Sequence, residues 1–247
     1  MRKKSIENVI FGTMRIDDYP YEDQYWIDLF YQMYAFGINI HHTSLEYSSY
    51  TRYCKILEKF SLKYPNKRIK HVVKLAEPNF EDNSFSNRKI YEKINRYIDT
   101  LGVKSLHIVQ WMWRGNLDND KRRVDKFLSN ADFIRSFIMN SKHKRLFDYF
   151  YLFPYSKNFA IAGLNYDFIE GIMVYRNPLE QEYNSIIEKY FNQKKKVITI
   201  RPFYGGKALK SGYKKKDIKE YIFNTIAVDK TIISISRLEQ LDLFKRS

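Results

Sequence analysis

The sequence predicts a (β/α)8 TIM barrel of parallel strands, formed by one domain spanning residues 1–247. Three observations predict it. Short apolar, β-branched or aromatic runs alternate with longer amphipathic stretches, and they do so eight times, the pattern of repeated strand–helix units. The runner-up, an open doubly wound sheet, wants a Gly-rich phosphate turn after its first strand, and Phe11-Gly12-Thr13-Met14 does not supply one. No Pro/Gly/Ser-rich linker or low-complexity stretch divides the chain, and barrels of roughly 200–250 residues are routinely one domain.

The strands are expected at Val9–Thr13, Ile38–Thr43, Ile69–Lys74, Leu106–Trp111, Tyr149–Tyr155, Ile172–Tyr175, Val197–Ile200 and Thr231–Ile235. Each is a compact run of the residue types that suit a pleated, buried surface. Pro154, Pro178 and Pro202 fall at or just after predicted strand ends, where a missing N–H stops pairing. Helices are expected at Asp23–Ala35, Thr51–Tyr64, Asn87–Leu101, Asp120–Met139, Lys157–Tyr166, Leu179–Gln193 and Lys215–Ala227, with a short last one from Arg237. In the first, Tyr25, Trp26, Leu29, Phe30, Met33 and Tyr34 recur at spacings of three and four, which is one face of a helix. Gly37 and Gly102 follow the first and third helices, where a left-handed stop is expected.

Composition sets the outer bounds. The 247 residues carry 43 Lys+Arg against 28 Asp+Glu, a net charge of +15, with 21 Tyr, 18 Phe and a single cysteine, Cys54. A hydrophobic share of 44% supports a real core and excludes global disorder. One cysteine excludes an intramolecular disulfide framework and a Cys-rich zinc module, and no metal site is expected. No apolar run reaches the roughly 18 residues that span a bilayer, and the basic start Met1–Ser5 lacks a following signal-peptide core. The expectation is a soluble, cytoplasmic protein without membrane contact.

Several strings, in order along nearly the whole chain, resemble the aldo/keto reductase family. They are Phe11–Arg15, Gly37–Tyr47, Val72–Lys74, Leu101–Met112, Tyr155–Asn158, Asn177–Glu180, Arg201–Leu209 and Ile232–Leu241. The resemblance implies carbonyl reduction by a hydride from NADPH or NADH, with an Asp, Tyr, Lys and His at the site. Tyr47 stands at the family's acid position and Lys74 at that of the lysine which lowers the Tyr pKa. With 21 Tyr in the chain, a chance match at Tyr47 is the competing reading. His42 stands where the family has Asp, and a neutral imidazole brings no negative charge; Glu77 or Glu46 is the candidate substitute. The alternative for His42 is a packed, hydrogen-bonded core residue. Met112 stands where the family has His, and a thioether donates no hydrogen bond. A slip of one residue would bring Trp111 or Trp113 to that position instead, while His107 is expected at the wrong depth.

The same resemblance gives Ser156 to the nicotinamide amide and puts Met173 near a frequent Gln. It gives Tyr204, Gly205 and Gly206 to the pyrophosphate, and Ser236 and Arg237 to the last helix start, where Arg237 favours NADP(H) over NAD(H). Ten cations and one acid, Asp217, lie in residues 193–219. Lys194–Lys196 precede the seventh strand and Lys207 and Lys210 follow it, so the run splits between the two barrel ends and argues for a phosphorylated ligand over a nucleic-acid groove. The usual fate of such a run is a solvated face. The expected partner is a small carbonyl or phosphorylated substrate. Family members commonly use a C-terminal extension to shape the pocket. Its absence after Leu241 predicts an open mouth, or a protein partner or second copy that closes it. The alternative function is a non-redox barrel protein: a pseudoenzyme, a partner subunit, or a proton-transfer enzyme on a phosphorylated sugar.

Overall fold

The computed structural model describes residues 6–82 and 84–242; the basic residues 1–5 and the tail beyond Asp242 lie outside the described residues. The eight strands are β1 (Val9–Gly12), β2 (Ile40–Thr43), β3 (Lys70–Ala76), β4 (Leu106–Met112), β5 (Phe147–Phe153), β6 (Gly171–Tyr175), β7 (Lys196–Ile200) and β8 (Lys230–Ile233). They form a closed barrel in chain order, with parallel pairing. Parallel neighbours need crossover connections, and helices supply them. These are α1 (Asp23–Ala35), α2 (Tyr50–Lys63), α3 (Asn87–Leu101), α4 (Asp120–Ser129), α5 (Ala131–His143), α6 (Lys157–Leu164), α7 (Asn184–Asn192), α8 (Lys207–Lys210), α9 (Lys215–Phe223) and α10 (Glu239–Asp242). The predicted (β/α)8 class is the observed one, and the open sheet is excluded.

Four helix expectations need correction. The stretch 120–139 is two helices, because Asn130 leaves helical geometry (φ −109°, ψ 4°) and its Nδ2 donates back to Lys126 O at 2.8 Å. Such local amide bonds compete with the helix ladder. The helix expected from Leu179 starts at Asn184, because Asn177 Oδ1 accepts the N–H groups of Leu179 and Glu180 at 2.9 and 3.0 Å and holds a turn there. The ninth helix stops at Phe223, where the Asn224 N–H closes on Glu220 O. The short α8 stands where the sequence reading expects only loop. Gly37 and Gly102 have φ of +87° and +63° as expected of helix stops.

The described residues divide into two compact units, 6–71 with 175–184 and 198–242, and 72–174 with 185–197. In the first, the register pairs Phe11 with His41 and Gly12 with His42. The Phe11 and His41 rings pack on Phe30 of α1 at 5.5 and 4.8 Å. Phe11 and His41 therefore face the helices, and Gly12 and His42 face the barrel interior, since side chains alternate along a strand. Behind His41 lies a buried chain: His41 Nδ1 and His71 Nε2 each sit 3.0 Å from the Tyr53 hydroxyl. The other ring nitrogens, His41 Nε2 and His71 Nδ1, make no hydrogen bond. Burial pushes the His71 pKa down to about 3 and lowers that of His41 well below the usual histidine range, helped there by His71.

In the second unit, Leu75, Trp111 and Leu152 are register partners. Trp111 packs on Phe127 of α4 at 5.8 Å and on Phe159 of α6 at 6.4 Å, so this row faces the helices. The rows Lys74–Gln110–Tyr151 and Ala76–Met112–Phe153 then face the interior, the second one layer nearer the C-terminal strand ends. Full burial of each large apolar ring contributes about 1.5–3 kcal/mol, and Trp111, Trp113, Phe127 and Phe150 are all buried.

Candidate active site at the C-terminal strand ends

Catalysis in such barrels takes place at the C-terminal ends of the strands. On β2, His42 is buried and inward-facing. The chain then turns through residues 44–49. Ser44 Oγ accepts the Glu46 N–H at 3.1 Å, Ser44 O accepts the Tyr47 N–H at 3.0 Å, and Tyr47 O accepts the Tyr50 N–H at 3.0 Å. Ser49 Oγ donates to Thr13 O at 3.1 Å and Thr13 Oγ1 to Thr43 Oγ1 at 3.0 Å. This lattice fixes Tyr47 half-buried just beyond β2, its ring edge-on to His42 with centroids 6.2 Å apart.

On β3, Lys74 is half-buried in the inward-facing row with Gln110 and Tyr151. Tyr97 of α3 donates its hydroxyl to Lys74 O at 2.6 Å and pins the strand there. Glu77 is not the substitute anion for Lys74. Its Oε2 pairs with Lys93 of α3 at 3.2 Å, while Oε1 makes no hydrogen bond. Burial raises the Glu77 pKa, and Lys93 opposes the rise.

Met112 ends β4 on the inward face and is buried. Its sulfur accepts from the Tyr155 hydroxyl at 3.4 Å and faces Arg114 Nη2 at 3.8 Å, while Arg114 Nε donates to Tyr155 Oη at 2.8 Å. Neither flanking tryptophan replaces Met112. Trp111 faces the helices and donates its Nε1 to Glu77 O at 2.7 Å, and Trp113 packs against Phe85, Phe127 and Phe159. His107 pairs with Asp148 at 2.8 Å near the N-terminal end of β4, away from these residues. Sequence reading passed over Gln110, Arg114 and Tyr155. The alternation Gln110–Met112–Arg114 was the available signal for the first two.

The expected cofactor residues divide. Beyond β7, Tyr204, Gly205 and Gly206 have φ of 47°, 64° and 92°, but two of the three N–H groups are spent within the turn: the Tyr204 N–H donates to Arg201 O at 2.9 Å and the Gly206 N–H to Phe203 O at 2.8 Å. A Cβ at Gly206 would meet nothing within 4 Å, one at Gly205 would lie 3.6 Å from Arg15 Nη2, and Lys207 Nζ stands 4.9 Å from the Tyr204 ring. What the turn offers a pyrophosphate is charge, from Arg15 and Lys207, and not a row of open N–H groups.

Ser156 does not suit the nicotinamide amide as it stands. Its hydroxyl donates to Asp120 Oδ1 at 2.6 Å and accepts from Arg123 Nη2 at 2.9 Å and the Phe159 N–H at 3.1 Å, which fills its capacity. It caps α6 and joins the buried Arg123 to Asp120 instead. At Ser236 and Arg237, both backbone N–H groups donate to Gln240 Oε1, at 2.7 and 3.2 Å. That side chain stands where a 2′-phosphate was expected, while the Arg237 side chain is exposed. Met173 is buried on β6, facing inward. Of the basic run, Lys194 and Lys195 lie before β7, Lys196 opens it, and Lys207 and Lys210 follow it. Among the described residues no helix is long and apolar enough to cross a membrane.

No family model matches the sequence, and no curated protein sequence matches it either. Solved structures do. A Pseudomonas aeruginosa protein assigned to the aldo-keto reductases shares 18% identity over 96% of this chain and 87% of its own, with a TM-score of 0.72. The holo form of an aldo-keto reductase from Bacillus halodurans gives 13%, 98%, 89% and 0.70. An aldo-keto reductase from Klebsiella pneumoniae in complex with NADPH gives 10%, 98%, 88% and 0.70. The fold is therefore that of the aldo-keto reductases.

Proposed function

We propose that this chain is a cytoplasmic NAD(P)H-dependent reductase of aldehydes or ketones, with Tyr47 as the acid and Lys74 as its electrostatic partner. One observation carries the reading: on a barrel of aldo-keto reductase fold, Lys74 faces the interior of β3 and Tyr47 is fixed by hydrogen bonds just beyond β2. Arg15 and Lys207 beside the Tyr204–Gly206 turn support dinucleotide binding through the charge of the pyrophosphate, and the resemblance at Arg237 alone speaks for NADP(H) over NAD(H). When bound, the cofactor supplies a hydride to the carbonyl carbon. The Tyr47 hydroxyl gives its proton to the carbonyl oxygen as negative charge develops there. The Lys74 ammonium favours loss of that proton by stabilising the phenolate. His42 packs against Tyr47 and orients its ring. Met112 donates nothing, and a site without that preorganised donor typically loses about 2.7–4 kcal/mol of transition-state stabilisation.

A second reading has its own support. The Ser156 hydroxyl is fully used within the Asp120–Arg123 network, which favours a non-redox barrel protein acting as a pseudoenzyme, a partner subunit or a proton-transfer enzyme on a phosphorylated sugar. Titration of NADPH and NADH into the protein, followed by tryptophan fluorescence and thermal shift, separates the two. Binding followed by aldehyde-dependent NADPH oxidation, lost in Tyr47→Phe, supports the reductase. No binding of either dinucleotide at millimolar concentration overturns it.

A further inference from the structure

The Tyr53 hydroxyl on α2 is buried and lies 3.0 Å from two ring nitrogens, His41 Nδ1 on β2 and His71 Nε2 on β3. A phenolic hydroxyl has one proton to donate and lone pairs to accept with. Burial keeps both imidazoles neutral, so one of them donates to Tyr53 and the other accepts from it. Two arrangements meet that condition. When Tyr53 donates to His41 Nδ1, His41 carries its proton on Nε2, and His71 donates from its own Nε2. When Tyr53 donates to His71 Nε2, both rings carry their protons on Nδ1. In either case the two histidines are the same tautomer. The outer nitrogens, His41 Nε2 and His71 Nδ1, make no hydrogen bond that would favour a mixed pair.

This chain closes the base of the loop that carries Tyr47. On the helix side, the Tyr53 N–H donates to Ser49 O at 2.8 Å and the Tyr50 N–H to Tyr47 O at 3.0 Å. Backbone bonds in the first turn of α2 thus pass the place of Tyr53 back to Tyr47. On the strand side, His41 is covalently next to His42, whose ring stands edge-on to Tyr47 at 6.2 Å. Phe11 and Phe30 hold the His41 ring at 4.9 and 4.8 Å. We propose that Tyr53 is a positioning residue for Tyr47: its hydroxyl, shared between two histidines of matching tautomer, ties the two ends of the loop 42–52 together and fixes where the Tyr47 side chain stands. A reacting group must be held to within about 0.5 Å of its productive place by partners that are themselves locked. A bond in this buried setting is not replaced by water when it is removed. The reaction that the positioning serves rests on the reductase reading above; the positioning itself does not.

The test reads the network and its effect separately. Nitrogen NMR of wild-type protein labelled in histidine, at neutral pH, is expected to show His41 and His71 as neutral rings of the same tautomer. Carbon NMR of the tyrosine rings, with Tyr47 assigned through Tyr47→Phe, is then compared between wild type and Tyr53→Phe. Tyr53→Phe should shift the Tyr47 resonance and lower kcat for aldehyde reduction about tenfold or more, with KM and NADPH affinity unchanged. Tyr190→Phe is the control. It removes another buried hydroxyl, which donates to Ala160 O at 2.9 Å in the other unit, and should change neither. Should Tyr53→Phe fail to fold, His41→Phe breaks the same bond from the strand side and fits the apolar rings around it. The wild-type tautomers need no variant. Mixed tautomers, an imidazolium at either ring, an unmoved Tyr47 resonance, an unchanged kcat in an active enzyme, or equal effects of Tyr190→Phe overturn the proposal. A wild type without NADPH-dependent reduction overturns the reductase reading alone, and the Tyr47 resonance still decides the positioning.

Discussion

Replacing His71 by Gln removes one proton-binding group from the buried His41–Tyr53–His71 chain and keeps an amide for the Tyr53 hydroxyl. In the folded protein His71 titrates at about 3 because burial penalises the imidazolium; in the unfolded chain a histidine titrates near 6.5. The unfolded state therefore binds a proton that the folded state refuses throughout the window between these values. Stability contributed by neutral His71 is complete above the unfolded value, falls as pH drops through it, and continues to fall until about 3. From pH 7 to pH 5 the loss through His71 alone is about 2 kcal/mol. The His41 pKa is lowered for the same reason, so it adds a loss of the same sign. Urea unfolding of wild type and His71→Gln at pH 5, 6 and 7 isolates the effect, because His42, His107, His143 and every carboxylate are common to both. The wild type should lose about 2 kcal/mol more than the variant between the two ends. A stability difference that stays constant over that range would refute the argument.

Other outcomes follow from the same structure. Tyr47→Phe should lower NADPH-dependent aldehyde reduction at least 100-fold while leaving NADPH binding unchanged, since one general acid is typically worth about 10²–10⁴ in rate. Arg123→Met should lose about 3 kcal/mol in urea unfolding. It removes the charge partner of Asp120, leaving that carboxylate only the neutral donors Ser156 and Asn158, and frees the carbonyls of Trp113 and Pro154, which accept from Arg123 Nη1 at 3.2 and 2.7 Å. Gly171→Ala should cost about 1–3 kcal/mol, because its Cβ would stand 2.7 Å from Lys196 O and 2.9 Å from the Tyr151 ring. A melting temperature unchanged from wild type would contradict the overpacking.

The barrel was legible because eight compact apolar runs and their helical partners repeat in register with the chain. Asp23–Ala35 and Asn87–Leu101 were read to the residue, helped by a strong apolar stripe in one and a Gly stop after the other. The break at Asn130 was not, because a helical apolar pattern runs on past it and only a side-chain bond to Lys126 O ends the helix. The candidate site is readable in the sequence as a set of positions and not as an arrangement of neighbours. His41 and His42 are adjacent and alike. The pairing of β1 with β2 decides that His42 turns inward and His41 toward the helices. Likewise Gln110 sits beside Lys74 through strand register, and Arg114 meets Tyr155 across 41 residues, a contact that no local spacing encodes. The Ser156 motif was visible, but the partners that fill its hydroxyl come from α4.

The three tryptophans turn this fold into its own optical instrument. Trp26, Trp111 and Trp113 are all at most 1% exposed, so their emission should be blue-shifted and resist quenching by dissolved iodide. Trp111 and Trp113 stand 5.9 Å apart at 69°, close and inclined enough for their excited states to couple and give a strong near-ultraviolet dichroic signal. That pair belongs to the unit carrying Lys74, Met112 and Arg114, and Trp26 to the unit carrying His42 and Tyr47. Dichroism thus reports on one unit, while total fluorescence adds Trp26 from the other, and a fluorescence change that lags or leads the dichroic one on denaturation would be the share of Trp26.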